Sequence, residues 1–112
     1  REETGNYGIV EVREEAGCQR VVSMVEKPKP EAAPSTLAVV GRYILPGSIF
    51  DKLLEVRPGA GGEIQLTDAI AACLHTDRFV GMPLHGKRFD CGSKRGFLEA
   101  NMHFGLRDTA GD

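Results

Sequence analysis

At 112 residues, with 27% charged and 41% hydrophobic side chains, the chain has the composition of one ordinary globular domain with a modest core. A formal net charge of -2 and a pI near 5.9 give no support to a basic nucleic-acid face or to an anionic membrane surface as the main partner, so any phosphate recognition must be local. No apolar run approaches the roughly 20 residues of a membrane span, the opening REETGNYG carries no signal-peptide core, and a cytoplasmic location is expected.

Two β-branched runs come first, YGIVEV (7–12) and RVVSMV (20–25), joined by the polar, glycine-bearing EEAGCQ; they predict a hairpin. The second run meets VEKPKPEAAPS (25–35), where Glu26 and Lys27 stand side by side before Pro28 and Pro30. Proline restrains its own φ and pushes the preceding residue toward extended backbone, so Lys27 is expected to leave the strand without coiling. TLAVVGRYI (36–44) predicts a central strand buried on both faces, and Gly41 inside it marks a bulge or a close approach to the backbone.

Pro46 suits a first helical turn, after which Ile49, Phe50, Leu53 and Leu54 share a face until Pro58 ends the helix. Gly59, Gly61 and Gly62 predict a mobile loop. Leu66, Ala69, Ile70, Cys73 and Leu74 then repeat with helical spacing, the clearest helix in the chain. Two short extended pieces, 79–84 and 87–89, precede a final helix capped by Ser93. On that helix Phe97, Ala100 and Phe104 form one stripe and Leu98, Met102 and Leu106 another, an apolar arc wide enough to need covering on more than one side.

Three segments carry chemistry: the Glu26-Lys27 pair, GAGGEIQLTDAI (59–70) and KRFDCGSKRGFLEA (87–100). Each also has a purely local reading. Glu26 and Lys27 can be a solvated pair at a strand end, the glycines a linker, and Asp90 a cap for the following turn. For Glu63, Gln65, Thr67 and Asp68 the favoured reading is helix-terminal hydrogen bonding with acidic charge against the helix dipole. Cys18, Cys73 and Cys91 are widely spaced without a CxxC pair, and His75, His85 and His103 lack a mutual metal spacing. No GxGxxG or Walker sequence occurs in these residues.

Taken together and in this order, with NYGIVEV before them and VVGRYILP between, the three segments resemble the C-terminal part of the bacterial UTP-glucose-1-phosphate uridylyltransferases, within the sugar nucleotidyltransferase superfamily; the likeness runs over about residues 7–107. It implies an α/β fold, the C-terminal portion of a Rossmann-like, mixed-sheet nucleotidyltransferase domain with about five to six strands and three helices. The nucleotide-binding portion is then expected outside these residues. The resemblance further implies that Lys27 contacts the phosphate of glucose 1-phosphate and that Glu26 holds sugar hydroxyls. Gly8, Val40 and Gly41 would bring backbone close to the sugar, and Asp90 would help bind Mg2+. UTP and glucose 1-phosphate are the implied substrates; separately, the wide apolar arc of the C-terminal helix is expected to pack against missing parts of the domain or to form a homo-oligomer. A thymidylyl- or other sugar nucleotidyltransferase, and a non-catalytic assembly module, are the alternative readings.

Overall fold

Extended, β-branched sequence on either side of Ala16 and Gly17 produces a hairpin. In the computed structural model, which describes residues 2–109, β1 (Gly8–Glu15) pairs antiparallel with β2 (Cys18–Glu26). Ala16 and Gly17 lie at φ of 53° and 79°. Two positive values in succession make a type I′ turn, whose twist matches that of the strands it joins. The connection is therefore shorter than EEAGCQ suggests: its outer residues pair within the ladder, Glu14 opposite Gln19 and Glu15 opposite Cys18.

The ladder contains one irregularity with large consequences. Glu11 faces Ser23 and Val12 faces Val21, so Val22 is an extra residue on β2. Side chains alternate across a strand, and a bulge reverses that alternation. Val21 and Met24, on opposite faces of an unbroken strand, are accordingly both buried. Glu26, two residues beyond Met24, comes to the face that Met24 occupies.

β3 (Leu37–Ala38) and β4 (Val80–Gly81) complete a sheet of order β3-β1-β2-β4 in which every pairing is antiparallel. Two helices pack with it: α1 (Ile49–Glu55) and α2 (Leu66–Cys73), the latter against both β2 and α1. Met24, Ile49, Ala69, Ile70 and Cys73 form the buried centre, with Val10, Val39, Tyr43 and Leu45 packed against it. Each fully buried isoleucine stabilises this unit by about 1.5–3 kcal/mol. α1 starts as its sequence predicts, with the Ile49 N–H donating to the Pro46 carbonyl, and only half its apolar stripe is used: Ile49 is buried, while Phe50 and Leu54 are exposed.

The strand expected over 36–44 is reduced to two residues at the edge of the sheet, and Ile44 is fully exposed at 101%. Val39 still donates its N–H to the Gly8 carbonyl at 2.9 Å, but Gly41 at φ 77° turns the chain away from extended backbone. Likewise 79–84 contributes only Val80–Gly81, and Pro83 has no N–H to extend the ladder. Residues 87–89 form no strand. The α/β class and the three helices are as expected; the described residues hold four strands, slightly fewer than expected.

The chain divides into two units, the first ending at Met82. Within the second lies α3 (Lys94–Thr109). Ser93 caps it as its sequence predicts: Ser93 Oγ accepts from the Gly96 N–H at 3.0 Å and donates to the Asp90 carbonyl at 3.1 Å. Gly96 is indispensable there, because a Cβ would stand 2.0 Å from the Asp90 carbonyl oxygen. Phe97, Leu98, Met102, Phe104 and Leu106 are each more than half exposed, and Phe89 packs its ring against His103 and Phe104. No described helix is long and apolar enough to cross a membrane.

Gly96→Ala is expected to destabilise the protein by about 3 kcal/mol, since backbone is what the new methyl would meet. Gly105→Ala, in the same helix with open space around it, should be neutral or stabilising by about 0.5–1 kcal/mol. Urea unfolding of the two variants checks both signs.

Candidate functional site

At the far end of β2 the half-buried Glu26 meets the first turn of α2. Thr67 Oγ1 donates to Glu26 Oε2 at 2.5 Å, across 41 residues of sequence. Thr67 is 5% exposed. The Tyr43 phenol lies close enough to feel both of these groups. Burial first, and the Glu26 charge second, raise the Tyr43 pKa above its ordinary 10.0; the Thr67 hydroxyl, able to turn its proton toward a phenolate, acts the other way. Tyr43, Thr67 and Glu26 thus form one polar line along the margin of the apolar core.

Gly8 closes the other side of this group. It is the register partner of Glu26 on β1, and a Cβ there would lie 2.9 Å from Val39 Cγ2, 3.1 Å from Glu26 Oε2 and 3.5 Å from Thr67 Oγ1. The absence of a side chain at Gly8 is what leaves room for the carboxylate. Among the residues singled out from sequence, then, Gly8 and Glu26 come together.

Lys27 follows directly and differs from expectation. Instead of the extended backbone that a following proline favours, it lies at φ 46°. Tertiary contacts on both sides override the local preference: the Lys27 N–H donates to the Tyr7 carbonyl at 2.9 Å, and buried Pro28 accepts from Thr4 Oγ1 through its carbonyl at 3.3 Å. A non-glycine residue held in the left-handed region costs on the order of 1–3 kcal/mol. The result is a sharp exit that leaves Lys27 exposed beside a half-buried Glu26.

Val40 and Gly41 lie beyond the end of β3 rather than inside a central strand. The side chain that reaches Gly8 belongs to Val39, whereas Val40 is 46% exposed. Nothing stands within 4 Å of a Cβ built on Gly41, so its positive φ, and no crowding by protein, is the reason for glycine.

The glycine segment is tied rather than loose: Gly59 N–H donates to Glu63 O at 2.8 Å and Gly62 N–H to Gly59 O at 2.9 Å. Asp68 lies in the first turn of α2, where its charge favours the helix dipole, and a Cβ on Gly59 would meet its Oδ2 at 2.5 Å. Asp68 matches the favoured helix-terminal reading, and Thr67 does not. Sequence reasoning missed the roles of Thr67 and Tyr43, although TD at a helix start and the tyrosine of VVGRYILP were both in view.

In the second unit Asp90 precedes α3, with Oδ1 accepting from the Gly92 N–H at 3.0 Å. A carboxylate oxygen is a suitable donor for Mg2+, which is commonly held by one or two carboxylates together with phosphates and water. No cluster of three or more His, Cys, Asp or Glu that could hold a metal occurs among the described residues. Asp90 therefore fits such an ion in kind and could supply one ligand. A cavity of about 410 Å³, lined by Lys87, Phe89, Met102 and neighbours, includes none of Gly8, Glu26, Lys27, Val40, Gly41 and Asp90.

The family described as Nucleotidyl transferase matches residues 1–105. The UTP–glucose-1-phosphate uridylyltransferase of Pseudomonas aeruginosa is 49% identical over 102 residues, covering 88% of this chain and 36% of that protein. The protein of the same name from Komagataeibacter xylinus is 50% identical over 95 residues, 84% of this chain and 34% of that one. The crystal structure of a UDP-glucose pyrophosphorylase complexed with UDP-glucose superposes with a TM-score of 0.87 at 43% identity, over 95% of this chain and 41% of that chain. The chain spans about a third of the length of the curated relatives it matches.

Two measurements check the local geometry. Lys27→Gly should be more stable than Lys27→Ala by about 1 kcal/mol in chemical unfolding, as glycine accepts the left-handed backbone freely. In an ultraviolet phenolate titration the Tyr43 transition, identified by its loss in Tyr43→Phe, should lie above pH 10.0. Because the folded value exceeds the unfolded one, the linked stability is complete below pH 10 and disappears as pH rises through the folded value. A Tyr43 transition at or below the unfolded value would contradict this arrangement.

Proposed function

The chain belongs to the nucleotidyl transferase family, and on that premise we propose that it supplies the sugar-phosphate side of a UTP-glucose-1-phosphate uridylyltransferase. The reaction converts UTP and glucose 1-phosphate into UDP-glucose and pyrophosphate. The observation that carries this reading is the end of β2, where the bulge turns Glu26 inward toward Gly8 and Thr67 while the left-handed exit presents the ammonium of Lys27 to solvent. The names of relatives at 49% and 50% identity support uridylyl over thymidylyl transfer.

A phosphate oxygen of glucose 1-phosphate attacks the α-phosphorus of UTP. The new oxygen–phosphorus bond forms as the bond from that phosphorus to the bridging oxygen breaks, and pyrophosphate leaves. Such a transfer needs alignment and neutralised charge more than a covalent nucleophile. Lys27 binds and orients the sugar's phosphate as a compact cation. Glu26 accepts hydrogen bonds from sugar hydroxyls, and Gly8, by lacking a side chain, lets that carboxylate lie against β1 and brings backbone close to the ring. Asp90 would hold Mg2+ together with substrate phosphates, and the ion when bound supplies positive charge to the transferring phosphoryl group.

In this reading the 112 residues are one portion of a single nucleotidyltransferase domain, the nucleotide-binding portion lies outside them, and the chain by itself does not turn over. The exposed apolar faces of α3 suit further protein surface, including a second copy of the molecule. A cytoplasmic location accords with three unpaired thiols.

The test is UTP-dependent pyrophosphate release by the intact gene product that contains this sequence. Lys27→Ala should lower kcat/KM about a hundredfold to a thousandfold. Asp90→Asn, which keeps an acceptor for Gly92 and removes the charge, should raise the Mg2+ concentration needed for half-maximal rate. Activity unaffected by both substitutions would exclude the proposed roles.

A further inference from the structure

We infer that Thr67 is the positioning residue of the sugar subsite: its hydroxyl fixes the Glu26 carboxylate through Oε2 so that Oε1 is the oxygen offered to a substrate hydroxyl. This deepens the reading of Glu26 as a sugar ligand and rests on it. The argument begins with burial. Thr67 is 5% exposed and belongs to a turn that also buries Ala69 and Ile70. Valine has the same shape and would fill such a place without a polar group, so packing alone gives no reason for a hydroxyl. Nor does helix capping, because the residue at the cap position is Gln65 and the Thr67 side chain is directed across to β2.

Glu26 gives the complementary half of the argument. A carboxylate at a strand end is most easily solvated by pointing outward, which an unbroken β2 would have made it do. The bulge at Val22 instead carries it to the inner face, and Gly8 gives up a side chain so that Oε2 can reach Thr67. Partial desolvation of a carboxylate is unfavourable unless hydrogen bonds compensate, and one oxygen is compensated by a short bond from Thr67. Holding that oxygen fixes the plane and rotation of the whole group. The orientation entropy that a free glutamate would lose on meeting a sugar is thus removed beforehand. The bond to Glu26 aligns the Thr67 hydroxyl proton toward the carboxylate.

The experiment compares Thr67→Val, Thr67→Ala and Thr67→Ser in the intact gene product, with KM for glucose 1-phosphate, KM for UTP, kcat and calorimetric affinity for UDP-glucose as readouts. Thr67→Val should raise KM for glucose 1-phosphate about tenfold to a hundredfold, the range expected for loss of a charge-assisted hydrogen bond. KM for UTP should stay within about twofold, and UDP-glucose affinity should fall in parallel with the sugar-phosphate effect. Thr67→Ser restores the donor and should return to within about threefold of the parent, while Thr67→Ala should be impaired like Thr67→Val. A Thr67→Val protein that binds like the parent, or a Thr67→Ser protein as impaired as Thr67→Val, overturns the inference and leaves the sugar-phosphate reading standing. A parent that does not bind UDP-glucose at all overturns both. If Thr67→Val does not fold, Thr67→Ala decides, and an unchanged KM for glucose 1-phosphate in that variant is the overturning result.

Discussion

A single hydrogen bond, from Thr67 to Glu26, spans 41 residues of sequence and joins the last position of β2 to the first turn of α2. Its formation requires agreement among several local features. β2 must carry an extra residue, Gly8 must lack a side chain, and α2 must start without using Thr67 as its cap. None of these is costly to satisfy separately, and all point to one arrangement, which is how a sequence comes to specify a single structure. The polar line lies against Met24, Ile70 and Cys73 without leaving a buried side-chain polar atom unpaired among the described residues. An apolar core and a charged site therefore share one boundary instead of competing for it.

What could be foreseen from sequence follows from how local each cause is. The hairpin, α2 and the Ser93 cap are set by residues within a few positions of one another, and their patterns are plain. The two-residue strand β3 was harder, because Val39, Val40 and Ile44 look like core while pairing depends on neighbours far away in sequence. The left-handed Lys27 runs against the preference imposed by Pro28, since Tyr7 and Thr4 hold the backbone on either side. Thr67 was hidden by its own chemistry: the same hydroxyl that caps helices also donates to carboxylates, and nothing nearby in sequence says which. Tyr43 sat within an apolar run that disguised its one polar atom.

The second unit shows that two readings of a residue need not exclude each other. Asp90 does brace the turn before α3, with one oxygen on the Gly92 N–H and its carbonyl receiving both Ser93 donors. That bracing leaves a second carboxylate oxygen, and it holds the group in one place relative to the helix. Gly96 allows the Asp90 backbone to lie directly against the first turn, so a residue with no side chain sets the position of one that has a charge. The apolar arc of α3 remains mostly uncovered in the chain, in keeping with a breadth that no single neighbouring surface could bury.

The extra residue at Val22 shows that part of what specifies this site is a count and not a kind of side chain. Removing that one valine would leave hydropathy, net charge and every quoted motif almost untouched, and a comparison by residue identity would treat the loss as trivial. The pleat would nevertheless resume its regular alternation, and everything after it on β2 would change sides: Met24 would face outward and Glu26 would turn its back on Thr67. Relatives that differ by a single gap in this strand are thus separated by a reversal of direction, however alike their letters.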